Sequence, residues 1–265
     1  MSLEKSALEP AGARAQILTR ADAPSIAYRR LAGAAGRRPG VVFLIGFKSD
    51  MDGAKASAVD ALCRTRGQPF LRFDYRGHGQ SEGKFEDGDI ETWFEDSLYV
   101  LDHLTEGPQV LVGSSMGGWM MLLLARARPG RIVGLVGIAA APDFTEDLIV
   151  PNLTQDNSAE IERTGRLVLP SEHGNGYVIT KQLLDAGRRH LVLRDPIAFA
   201  GPVRLLHGMK DSSVPWQRSL KLQETLVSAD VEVTLIKDGD HRLSEPVHLA
   251  LLARTLAALL DQLQE

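Results

Sequence analysis

The 265-residue chain predicts an α/β fold, a mostly parallel central sheet flanked by helices, and two observations carry that prediction. Short, nearly continuous apolar runs recur along the chain, as strands covered on both faces require. Stretches of helical periodicity alternate with them, which implies right-handed crossovers between parallel strands. The length suits one domain over residues 1–265 with a large core, and 44% hydrophobic with 24% charged residues is an ordinary globular composition.

In chain order, the strand-like runs are SIAYRRLAG (25–33), GVVFLIG (40–46), FLRFDYRG (70–77), QVLVGSS (109–115), RIVGLVGIAA (131–140), VRLLHG (203–208) and VEVTLIKDG (231–239). A helical stretch, AVDALC, separates the second run from the third. After the third, Ile90, Trp93, Phe94, Leu98, Leu101 and Leu104 recur close to helical spacing behind Asp89, a residue suited to cap a helix N-terminus. Residues 118–127 are apolar nearly all round, as expected of a helix packed between a sheet and an outer layer. A last helix is predicted over about residues 245–263, with Ser244 as N-cap and Pro246 in the first turn, where a missing N–H matters least. Between residues 142 and 196 the rhythm breaks. Polar clusters such as NLTQDNSAE and SEHGNG separate short helical pieces, no strand pattern is seen, and the segment reads as a helical lid inserted over one end of the sheet.

The formal charge of −4 leaves no basic footprint, which excludes nucleic acid and anionic membrane surfaces as expected partners. No apolar run reaches the roughly 18 residues of a membrane span. Cys63, the single cysteine, excludes an intrachain disulfide and any C-x-x-C site, and its apolar helical setting predicts an inert packed thiol. The N-terminal stretch has no apolar core, and Glu4 and Glu9 argue against a transit peptide, so a cytoplasmic setting is expected. With no H-E-x-x-H and no clustered ligands, neither a metal nor another cofactor is expected.

Two stretches fit G-x-S-x-G, a pattern that marks a serine nucleophile on a sharp strand-to-helix turn: GQSEG (79–83) and GSSMG (113–117). Ser115 ends an apolar strand and is followed at once by Gly117, Gly118 and a helix, which is the arrangement the chemistry needs. Ser81 has a turn before it and the polar loop GKFEDGD after it, so it fails the same test. The neighbouring RGHGQSEG is no phosphate loop, since its glycines are spaced G-x-G-x-x-x-G and no helix opens on them.

A serine hydroxyl needs a base, and the base needs an orienting carboxylate. In chain order after Ser115, Asp211 in LLHGMKDSSVP and His241 in IKDGDHRLSE each lie just past an apolar strand, where active sites of parallel sheets are built. The other histidines read as packing or surface residues: His78, His103, His190, His207 at a strand end, and His248 in the last helix. His173 is a candidate for a substrate contact. Asp238 and Asp240, flanking His241, read as capping or solvated. Acyl transfer also needs two N–H donors for the developing oxyanion. Met116, directly after the nucleophile, is one candidate; Phe47, just past Gly46 on the loop after GVVFLIG, is the other.

From about Thr19 onward the chain resembles the α/β-hydrolase superfamily. FDYRGHGQSEG, VLVGSSMGGWMML with ARPGRIVGLVGIA, RLLHGMKDSSVPW and DHRL are similar to a narrower group, the mitochondrial palmitoyl-protein thioesterases, also known as acyl-glucuronide esterases, and their bacterial relatives, whose mitochondrial location is not expected to carry over. The resemblance implies a serine esterase acting on acyl thioesters or esters, small molecules or acylated proteins, with Ser115, Asp211 and His241 at the catalytic positions. It places the oxyanion loop at LIGFKSDMDGAKA, with Ile45 where the group carries Pro, and it makes Gly46 and Trp119 candidate substrate-binding residues. Lactone, amide or C–C bond hydrolysis on the same triad is the alternative among enzymes, Arg163 and Arg166 being candidate anchors for an amide substrate. A non-catalytic binding protein is the alternative from another class.

Overall fold

A computed structural model describes residues 14–36, 39–171 and 174–264. All seven apolar runs become strands, each ending at or before the end of its run: β2 (Ile26–Leu31), β3 (Gly40–Leu44), β4 (Phe70–Phe73), β5 (Gln109–Ser114), β6 (Ile132–Ile138), β9 (Val203–Gly208) and β10 (Val231–Ile236). A three-residue strand that no sequence pattern announced, β1 (Gln16–Leu18), precedes them. The eight form one sheet in the order β1-β2-β4-β3-β5-β6-β9-β10. From β4 to β10 every neighbouring pair is parallel, and only β1 and β2 run antiparallel to their neighbours. Burial follows position: β3, β4 and β5 are buried at every residue, whereas β10, at an edge, alternates between half-buried and exposed.

The sheet-flanking helices are α1 (Ala54–Arg66), α2 (Ile90–Leu104), α3 (Met116–Ala127), α6 (Gln217–Thr225) and α7 (Pro246–Gln262). Asp89 caps α2 as expected, in a reciprocal box: the Thr92 N–H donates to the Asp89 carboxylate at 2.8 Å, and the Asp89 N–H donates to the Thr92 hydroxyl at 2.9 Å. At α7 the N-cap is Glu245, one residue past the expected Ser244, with Pro246 in the first turn. On β6, Gly134 would bring an added Cβ against Leu259 and Leu263 at the end of α7, and Gly137 against Met121 of α3. Residues three apart on a strand face opposite sides, so α7 and α3 cover opposite faces of the sheet.

The chain between β6 and β9 holds α4 (Gln155–Thr164), β7 (Arg166–Ser171), β8 (Gly174–Thr180) and α5 (Lys181–Arg189). Here the structure corrects the all-helical reading, because β7 and β8 pair as an antiparallel hairpin. The hairpin has one covered side, with Leu167 and Ile179 buried and Val168 exposed. The apolar residues of β7 come as the brief run Leu167, Val168 and Leu169, ended by Pro170, and the pairing is irregular between Leu169 and Ser171, so no longer apolar stretch is left to read. His173 lies outside the described residues.

Candidate active site

Ser115 stands between the last residue of β5 and the first of α3, at φ 54 and ψ −119. A non-glycine residue there is strained by about 1–3 kcal/mol, and the surroundings hold it in place. The Ser115 N–H donates to the Ile138 carbonyl at 2.9 Å, and its own carbonyl accepts from Gly118 and Ala141 at 2.9 and 3.0 Å. The turn also requires a glycine after it: a Cβ on Gly117 would lie 2.1 Å from the Leu44 carbonyl oxygen. Ser81 is bound differently. Its hydroxyl donates to the Asp74 carbonyl at 2.6 Å and accepts from the Ala27 N–H at 2.8 Å, linking β2 to the residue that follows β4.

Ser115, His241 and Asp211, far apart in sequence, meet in space. The His241 Nδ1 lies 2.7 Å from Asp211 Oδ2, and its Nε2 lies 3.1 Å from the Ser115 hydroxyl. A carboxylate only accepts, so Nδ1 carries the proton and Nε2 is left to accept from the serine. The Asp211 side chain is fully buried. Burial alone would raise its carboxyl, but hydrogen bonds from His207 and His241, with the Val214 N–H, outweigh it and hold the group well below the usual carboxylate range. The oxygen facing away from His241 accepts the Ser213 and Val214 N–H groups, each at 2.8 Å.

The loop after β3 brings Gly46 against the nucleophile, where an added Cβ would sit 3.3 Å from Ser115 Cβ. Phe47 follows Gly46 on this loop, and Met116 opens α3. Among the described residues neither backbone N–H has an acceptor. This loop is braced by three residues at and beyond the end of the neighbouring strand β4. The Met51 N–H donates to Asp74 at 2.7 Å, the Lys48 N–H to His78 Nε2 at 3.3 Å, and the Tyr75 hydroxyl to the carbonyl of the buried Ile45 at 3.3 Å. All three braces come from FDYRGHG, whose strand lies directly beside β3; that adjacency was the available signal. Burial shapes all three braces, pushing His78 down to about 4, Asp74 up to about 6 against N–H bonds from Gln80 and Met51, and the Tyr75 hydroxyl well above its ordinary range.

The inserted segment is tied to the same loop. The Phe47 ring packs edge-on to Phe85 at 4.8 Å and Phe144 at 5.7 Å, with Tyr177 of β8 at 6.0 Å, and Lys48 Nζ donates to the Gly176 carbonyl at 3.0 Å. Trp119 is fully buried, its indole N–H donates to the His190 carbonyl at 3.0 Å, and its ring meets Phe144 at 5.7 Å. It therefore anchors the inserted segment to α3 and offers no exposed surface. Arg163 and Arg166 are exposed, and Arg166 pairs with Glu86 at 3.5 Å. Asp238 pairs with Lys210 at 2.7 Å, and Asp240 accepts from the Leu243 N–H at 2.9 Å. Cys63 is fully buried, and burial pushes its thiol up to about 12.

Among the described residues no group of three or more His, Cys, Asp or Glu is placed to hold a metal ion. No described helix is long and apolar enough to cross a membrane.

A family model described as the alpha/beta hydrolase fold matches residues 41–169. Mouse mitochondrial palmitoyl-protein thioesterase ABHD10 is 45% identical over 250 residues, covering 93% of this chain and 82% of the mouse protein. The chain belongs to the ABHD10 family of α/β hydrolases. The human ABHD10 protein is 40% identical over 248 residues, covering 93% of this chain and 80% of its own length. The solved structure of mouse ABHD10 superposes with a TM-score of 0.87 at 43% identity, over 95% of this chain and all of that one. As a member of the ABHD10 family the chain is an enzyme, a hydrolase of the thioesterase and esterase class. The relatives also overturn the cytoplasmic expectation, since the ABHD10 proteins are mitochondrial by name. That expectation rested on targeting signals not seen in the N-terminal stretch, and an unseen signal names no compartment.

Proposed function

We propose that the chain hydrolyses acyl thioesters and carboxylic esters through an acyl-enzyme on Ser115. The reading is carried by one observation, the hydrogen-bonded relay from Asp211 through His241 Nε2 to the hydroxyl of a serine at positive φ. His241 takes the serine proton as Oγ attacks the acyl carbon, and Asp211 orients the ring and stabilises the resulting imidazolium. The backbone N–H groups of Phe47 and Met116 receive the oxyanion, and Gly46 allows the loop its close approach. Collapse of the tetrahedral intermediate releases the thiol or alcohol, protonated by His241. A water molecule, deprotonated by the same nitrogen, then attacks the acyl-enzyme to free the carboxylic acid and restore Ser115.

Residues 142–196 serve in this reading as a lid within a single domain, with Trp119 holding its base. The relatives named as palmitoyl-protein thioesterases favour a long acyl thioester, including one carried by a protein, over a small ester. Steady-state hydrolysis of acetyl and palmitoyl thioesters by the wild type and Ser115→Ala tests both parts. Expected is a higher kcat/KM for palmitoyl and loss of both activities in the variant. Turnover retained by Ser115→Ala would overturn the mechanism, and preference for acetyl would overturn the substrate class.

A further inference from the structure

Asp211 Oδ2 is approached by two histidines. Besides His241, His207 of β9 places Nε2 3.2 Å from the same oxygen. We propose that His207 is a positioning residue that fixes the Asp211 carboxylate in the orientation His241 needs; the inference rests on the triad reading above.

The protonation of that nitrogen follows from its other neighbour. Nε2 also lies 2.9 Å from the Val214 carbonyl, which only accepts, so Nε2 carries a hydrogen and donates it to both oxygens. The opposite ring nitrogen, Nδ1, is 2.7 Å from the Ser219 hydroxyl of α6, so both ends of the imidazole are engaged and the ring cannot turn. His207 is fully buried and Ser219 nearly so, which keeps water from replacing either bond. One N–H thus closes the 211–214 turn at the Val214 carbonyl and pins Oδ2, while the Ser213 and Val214 N–H groups pin Oδ1. A carboxylate torsion is intrinsically broad. Without the His207 donor, Oδ2 keeps only His241, the group it is meant to orient. His207 has no exposed surface with which to touch substrate, so its effect belongs in kcat and not in KM.

The test pairs two amide substitutions with a spectroscopic signature. His207→Asn places its amide near Ser219 but stops short of Asp211, and kcat is expected to fall by about 10- to 100-fold with KM within about twofold. His207→Gln extends an N–H to the Nε2 position and is expected to recover most of that loss. A purely structural histidine would lower the Tm of both variants without separating their kcat values. In the wild type, ¹⁵N-labelled histidine should show His207 protonated at Nε2, a reading that stands even if the Asn variant fails to fold. An unprotonated Nε2, or folded Asn and Gln variants that both match wild-type kcat, would overturn the proposal. Ser115→Ala measured in parallel separates the two claims. If it still turns over, the triad reading has failed; if it is inactive while both His207 variants match the wild type, only the role of His207 has failed.

Discussion

At residues 113–117 and 79–83 the molecule uses the same five-residue pattern in two ways. Ser115 follows strand β5 directly and opens helix α3, so its backbone is forced to φ 54 and its hydroxyl stands beside His241. Ser81 lies in a turn well beyond β4, and both hydrogen-bonding directions of its hydroxyl are satisfied by backbone groups of Asp74 and Ala27. The pattern supplies glycines and a serine in both places. The element that follows decides whether the serine is raised toward a substrate or folded into the scaffold. The two loops are nevertheless connected, because the turn holding Ser81 also carries Asp74 and His78, which brace the loop bearing Phe47.

The largest expected effect separates the serines outright. Ser115→Ala should lower kcat by about 10⁴- to 10⁶-fold with the fold intact, measured on p-nitrophenyl and thioester substrates. The bracing loop should respond instead through pH-dependent stability. Burial holds His78 down to about 4, from an ordinary value of 6.5, so the unfolded chain binds this proton first as pH falls. Stability from His78 is therefore complete above the ordinary histidine range and is lost between about pH 6.5 and 4, by at most about 3 kcal/mol. His78→Phe should remove this loss from the denaturant midpoints over that window, leaving the opposite trend of the raised Asp74 carboxyl, and an unchanged slope would refute the assignment. Next in size, Gly117→Ala must displace the Leu44 carbonyl and should cost about 1–3 kcal/mol by chemical denaturation. The smallest effect is expected at the other serine. Ser81→Ala leaves the Ala27 N–H without its acceptor and should lose about 1 kcal/mol of stability while kcat stays within about threefold.

The parts of the site legible in the sequence are those tied to single strand ends. Ser115, Asp211 and His241 each follow an apolar run, and parallel strands bring such ends to one edge of the sheet. The parts that were not legible depend on which strands become neighbours. Asp74 and His78 look like members of a polar loop until β4 is known to lie beside β3, and His207 reads as packing until α6 presents Ser219 to it. The β7–β8 hairpin is hard to see for a local reason: only one of its sides is covered, and Pro170 ends the short apolar run of its first strand. Trp119, a candidate substrate contact by resemblance, lies buried on α3 with its indole N–H on the His190 carbonyl, a link to the inserted segment that only the fold brings about.

The most direct test of the account is the intact mass of the wild type, Ser81→Ala and Ser115→Ala after exposure to a fluorophosphonate. One adduct on the wild type and on Ser81→Ala, with none on Ser115→Ala, is the predicted result. An adduct that persists on Ser115→Ala, or a wild type that takes no label, would contradict the assignment of Ser115 as the nucleophile.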